Sequence, residues 1–161
     1  MIRILIKITS ILLFLFFASC ERDDICIEPT TPKLIVVFHD KDNPENAKSV
    51  EDLLVEIDSL GTYIPYGTAN KTDSIAIPLR IDTDLTNYRF TKNYGDVANE
   101  ISDDFTVNYQ RELEFVSRSC GYKTVFNNVT ISNLTNNWID HINIEQQNIL
   151  NEKETHLTVY H

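Results

Sequence analysis

Four histidines, His39, His141, His156 and His161, are the side chains of this sequence best suited to metal ligation or proton transfer. Spacings such as H-x-H or H-E-x-x-H supply two zinc ligands from one face. Neither spacing occurs. His156 and His161 are five residues apart, so on one strand they would face opposite sides. All four read as surface or half-buried polar residues, and no metal or cofactor is predicted. Asp82-x-Asp84 and Asp103-Asp104 offer hard oxygen ligands. A calcium loop needs a longer series of oxygens around a glycine bend, so these read as solvated loop acids. Ser117-Arg118-Ser119-Cys120-Gly121 lacks the first glycine of a nucleophile elbow and the strand-to-helix pattern around it. Arg80 and Arg118 fall on predicted strands, where pairing with acids is the commoner role and binding of an anionic ligand the alternative. Exposed Tyr63, Tyr66 and Trp138 could stack against a sugar or a peptide, and Trp138 could equally be core.

The elements that would position these residues follow a period of two. Leu34, Val36 and Phe38 alternate with Ile35, Val37 and His39, an apolar run dense enough for a strand covered on both faces. Ile75, Ile77, Leu79 and Ile81 point one way, and Pro78 marks that strand as an edge or a bulge. Tyr88 and Phe90 alternate, as do Phe105, Val107 and Tyr109, and then Leu113, Phe115 and Ser117. Tyr122, Thr124 and Phe126 make a further strand, followed by Val129 and Ile131, and then Leu157, Val159 and His161. Residues 47–58 and 138–150 fit either a helix or a strand, and their β-branched content favours strand. Seven or eight short strands at regular spacing predict an all-β chain folded as an antiparallel, Ig-like β-sandwich.

The first 19 residues read differently. Arg3 and Lys7 precede an apolar run from Ile8 to Phe17, and Ala18 and Ser19 are small. This is the pattern of an export signal, too short for a transmembrane span of roughly 20 apolar residues. Phe17-Ala18-Ser19-Cys20 resembles a lipobox, which implies cleavage before Cys20 and acylation of its thiol and amino group. Two or more acyl chains anchor a protein stably without spanning the bilayer. The expected organisation is a lipoprotein signal peptide at 1–19, a lipidated N-terminus and tether at 20–30, and a sandwich domain at 31–161. Removing the leader moves the net charge from −10 to −12, because its only charges are Arg3 and Lys7. Phosphate backbones would repel such a chain, so nucleic acid is not an expected partner.

The sequence has three cysteines. Lipidation consumes Cys20 and leaves Cys26 and Cys120, which an oxidising envelope would join. A loop of this length sets a ceiling of roughly 4–5 kcal/mol on the stabilisation.

Four stretches add a resemblance. They are Cys26-Ile27-Glu28-Pro29-Thr30-Thr31-Pro32-Lys33-Leu34, Asp73-Ser74-Ile75-Ala76-Ile77-Pro78-Leu79-Arg80, Val116-Ser117-Arg118-Ser119-Cys120-Gly121-Tyr122-Lys123 and Thr155-His156-Leu157-Thr158-Val159-Tyr160-His161. Together they resemble a family of small Bacteroidota lipoproteins classed as a domain of unknown function. The resemblance implies an envelope address, paired cysteines and a mostly-β domain, and it implies no activity. In the same bacteria an acidic stretch such as Glu21-Arg22-Asp23-Asp24 resembles a signal for surface display, with a plain solvated tether as the alternative. Asp58-Ser59-Leu60 and Asp73-Ser74-Ile75 resemble a short O-glycosylation motif, which makes Ser59 and Ser74 candidate sites.

The expected function is that of a non-enzymatic binding or assembly module, lipid-anchored to a membrane of the envelope, with an outer-membrane protein as candidate partner. A surface carbohydrate or peptide binder is the first alternative. A metal-dependent hydrolase is the second, and it would need distant histidines or acids to converge.

Overall fold

A computed structural model describes residues 25–27 and 30–161. Residues 1–24, on which the expected signal peptide, the expected lipidation site Cys20 and the acidic run fall, and Glu28-Pro29 lie outside the described residues. Nine strands follow in order: β1 (Leu34–His39), β2 (Val50–Ser59), β3 (Thr62–Thr72), β4 (Ser74–Ile77), β5 (Leu85–Lys92), β6 (Ile101–Ser117), β7 (Gly121–Ser132), β8 (His141–Ile144) and β9 (Leu157–Tyr160). They form a four-stranded sheet, β4-β1-β9-β8, and a five-stranded sheet, β3-β2-β5-β6-β7. β1 and β9 run parallel, and every other pair of these strands is antiparallel. This is the expected all-β sandwich, with one parallel pair inside it.

Alternation sets the core. Leu34, Val36 and Phe38 face Leu53, Val55, Tyr88, Phe90, Phe105 and Val107, all at most 1% exposed. Phe90 meets Phe105 edge to face at 4.9 Å, and Phe38 reaches Phe90 from the other sheet at 6.2 Å. Edge-to-face contact suits rings whose faces are negative and edges positive. β1 is buried on one face only, with Ile35, Val37 and His39 half-buried. The strand buried along its whole length is β9, which lies between β1 and β8.

Both ambiguous segments contain strand. Residues 50–59 are β2, and 141–144 are β8. β3 was not expected, because Pro65, Gly67 and Asn70 interrupt its sequence. An edge position tolerates a proline that cannot donate to the ladder. A two-residue turn at Leu60 and Gly61 joins it to β2, and both have positive φ, 55° and 83°. Such a turn matches the twist of the strands it joins, and glycine supplies that conformation without steric cost. The run from Ile75 to Ile81 is broken where Pro78 stands. β4 ends at Ile77, Leu79 stays buried, and Ile81 turns out to solvent.

Candidate functional site

β6 and β7 pair from Thr106 with Ser132 out to Ser117 with Gly121, and form a hairpin arm that runs on past β5, whose pairing with β6 stops at Asn108. Odd-numbered residues of β6 face the core as far as Tyr109, which packs on Phe126 at 5.0 Å. The same face continues through Arg111, Leu113 and Phe115, where it is exposed. The cross-strand partners of these three are Phe126, Thr124 and Tyr122. The arm ends in a turn with Gly121 at φ 72°, and Cys120 in that turn is disulfide-bonded to Cys26 with Cα atoms 4.9 Å apart. Further down the arm, Thr31 Oγ1 accepts the Thr124 N–H at 3.0 Å. The start of the domain is thus fixed to the arm at its tip and nearer its base.

Two of the histidines are buried. His156 accepts the Ile35 N–H at Nδ1, 2.8 Å away, and His161 donates from Nε2 to the Lys48 carbonyl at 3.1 Å. A backbone N–H can only donate, so the His156 ring is neutral in the fold. Surface or half-buried polar roles, as read from spacing, are therefore wrong for these two. They are backbone-satisfying core residues flanking β9. The other two are more open. His39 Nδ1 donates to the Pro44 carbonyl at 2.6 Å, and His141 stacks on Tyr160 at 4.4 Å. His39 and His141 each pair with Tyr160, from opposite sides. Two strand spacings, about 9.5 Å, separate them, too far to share an ion that each must approach to about 2 Å. Among the described residues no group of three or more His, Cys, Asp or Glu could hold a metal.

Burial pushes both His156 and His161 below the ordinary imidazole pKa, and the Lys48 and Lys92 cations add to this at His161. The unfolded chain then takes up protons first as the pH falls. Stability from these groups is complete above about pH 6.5 and declines below it, toward the lower folded-state values. Carboxylates titrate lower, so the window is the histidines' own. The urea midpoint is expected to be lower at about pH 5.5 than at about pH 7.5, and less so in the His156→Gln, His161→Gln double variant. Equal midpoints would contradict this.

Asp82 and Asp84 are exposed acids in the loop before β5, as read from the sequence, whereas Asp103 and Asp104 are not loop groups. Asp103 lies on β6 and is fully buried. Its Oδ1 accepts the Thr135 hydroxyl at 2.6 Å and the Asn137 N–H at 2.6 Å, and its Oδ2 accepts the N–H groups of Trp138 and Ile139, each at 2.7 Å. Three successive N–H groups around one carboxylate form a nest, a concavity suited to an anion. Here the chain's own aspartate fills it. The neighbouring Asp104 points the other way and holds Arg89 with two bonds, at 2.7 and 2.8 Å. Asp82 binds Arg80 in the same forked manner, and Asp84 holds Arg111 at 2.6 Å. Arg80 thus pairs within the loop after β4 rather than across a sheet, and Arg118 is exposed in the turn at the arm tip.

Of the three aromatic candidates, Trp138 is core. It is 9% exposed, and its Nε1 donates to the Phe90 carbonyl at 3.0 Å. Tyr63 lies beneath the Arg89 guanidinium, 4.0 Å from the ring centre, and Tyr66 remains exposed on β3. The fluorescence of Trp138, the single tryptophan, is accordingly expected to be blue-shifted and indifferent to added polysaccharide. A spectral shift on adding glycan would contradict that placement. Ser59 ends β2 half-buried, and Ser74 opens β4 exposed, donating to Asp73 at 3.2 Å.

No curated protein and no solved structure matches the chain. The model of a family of unknown function (DUF6452) matches residues 55–161. That span takes in Asp103, the whole arm, Cys120 and both buried histidines. The chain belongs to this family of unknown function.

Proposed function

We propose that this protein is a lipoprotein of the cell envelope, cleaved before Cys20 and lipidated there, whose sandwich is a non-enzymatic binding or assembly head. The observation that carries the reading is the Cys26–Cys120 bond. It clamps the chain six positions after Cys20, within the tether, onto the tip of a projecting arm. A disulfide of this kind suits an oxidising compartment. A clamp at that point fixes how the head stands relative to its anchor, which matters for a module that presents a surface. The proposed partner is an outer-membrane protein. The carbohydrate-binding alternative loses Trp138 as a platform, and the hydrolase alternative has no converging ligand set among the described residues.

Crosslinking in native membranes tests the role. The lipidated protein is expected to capture one envelope protein in stoichiometric amount, and the Cys20→Ser variant to lose it. No stoichiometric capture would argue against an assembly role. Modification at Ser59 and Ser74 belongs to the same proposal, Ser74 being the more open. A larger intact mass from the native host than from a heterologous one is expected, and equal masses would rule the modification out.

A further inference from the structure

We propose that the tip of the β6–β7 arm is a membrane-contact surface, seated in the headgroup region of the bilayer that holds the lipid. This rests on the lipid anchor at Cys20. The first observation is the exposed apolar face of the arm. Leu113, Phe115 and Tyr122 are 70%, 56% and 66% exposed, and Phe115 and Tyr122 pack edge to face across the strands at 5.4 Å. They continue the inward face of the five-stranded sheet, past the region where the core covers it. Glu112 and Glu114 alternate onto the other face, where Glu114 meets Lys123 at 3.4 Å. From Phe115 to Tyr122 the only charged residue is Arg118. Ile25 and Ile27, beside the clamped cysteine, are also exposed.

The second observation is reach. Cys26 lies six positions after Cys20. A chain extends at most about 3.6 Å per residue, so Cys26 stays within roughly 20 Å of the lipidated residue. The disulfide adds 4.9 Å between Cα atoms and places Cys120 there too. Phe115 and Tyr122 flank that cysteine. The opposite end of the sandwich, at the β5–β6 loop, lies the length of β6 away, and 17 residues of strand span about 55 Å. The tether therefore keeps the tip near the bilayer, whereas the far end can stand up to about 55 Å further off.

The third consideration is chemistry. Aromatic rings with a polar handle concentrate at membrane interfaces, where the ring meets the acyl boundary and the hydroxyl meets water. Tyr122 fits that zone, Phe115 adds apolar surface beside it, and Arg118 suits the headgroup phosphate. An exposed apolar patch on a domain otherwise so acidic marks a contact surface. The tether's reach selects the bilayer over a distant protein.

Tryptophan quenching in vesicles tests the contact. Full-length, lipidated Tyr122→Trp and Val97→Trp proteins are reconstituted into phosphatidylcholine vesicles with and without bromine-substituted acyl chains. Val97 lies in the β5–β6 loop and is 97% exposed, so it reports the far end. Bromolipid is expected to quench the Tyr122→Trp emission several-fold more than that of Val97→Trp, with the unsubstituted protein as background. Equal quenching of the two would overturn the proposal. Intact mass on the same samples separates the failures. A missing lipid at Cys20 overturns the anchor and the contact together. A lipid present with no quenching overturns the contact alone, and crosslinking of tip to tip would then assign the patch to a second copy.

Discussion

Asp103→Ala is expected to cost about 3–5 kcal/mol of folding stability, the range seen when one partner of a buried charged network is removed. Four donors converge on this carboxylate, from Thr135, Asn137, Trp138 and Ile139. Each buried donor left without a partner costs about 1–3 kcal/mol, and relaxation of the loop with admitted water recovers part of the sum. Domains of this size are stable by about 5–15 kcal/mol, so the variant is expected to be marginal. Asp103→Asn should be less harmful, since the amide keeps one accepting oxygen while its NH₂ opposes the donors on the other side. Urea unfolding followed by Trp138 emission measures both changes. The loop that Asp103 holds carries Trp138, so the emission of folded Asp103→Ala should also shift to the red. A loss below about 1 kcal/mol would show that the carboxylate is not the organiser of this end of the sandwich.

Breaking the disulfide should act differently. Cys26 and Cys120 are 94 residues apart in sequence. The loop-entropy ceiling is roughly 4–5 kcal/mol, and the expected loss for the Cys26→Ser, Cys120→Ser double variant is about 2–4 kcal/mol. The smaller figure follows from where the bond lies. The arm tip and residues 25–27 are mostly exposed, so the folded chain regains freedom there once the bond is gone. Trp138 lies at the other end of the molecule, and its folded emission should not change. Susceptibility to proteolysis should rise around residues 25–31. Identical urea midpoints for the oxidised protein and the double variant would contradict the account. Proteolysis confined to the core strands would do the same.

Most of the sandwich was legible because alternation is a direct consequence of strand geometry. Leu34, Val36 and Phe38, or Phe105, Val107 and Tyr109, show which way they face without any tertiary information. Three features were hidden for separate reasons. The segment from Tyr122 to Ile131 reads as two strands because its inward set changes from even to odd numbers. It is one strand, with a register shift beside Asn128, whose φ is 54°. β-bulges of this kind flip parity locally. β3 was hidden by its turn-forming residues, which an edge strand accepts. Asp103 was hidden by its neighbour. Read as a pair, Asp103-Asp104 resembles a turn, but carrying the alternation of Phe105, Val107 and Tyr109 back by one step puts Asp103 inside and Asp104 outside. The histidines were misjudged because burial of His156 and His161 depends on β1 and Lys48, more than a hundred residues away in sequence. The disulfide, by contrast, was accessible by counting, since two thiols remain once Cys20 is assigned to the lipid.

The anchor and the clamp can be read together in one intact-mass measurement on the protein purified, without reductant, from its native host's membranes. The expected species is a chain beginning at Cys20, heavier by its acyl groups and lighter by the two hydrogens of the Cys26–Cys120 bond. A full chain of 161 residues with three free thiols would contradict it.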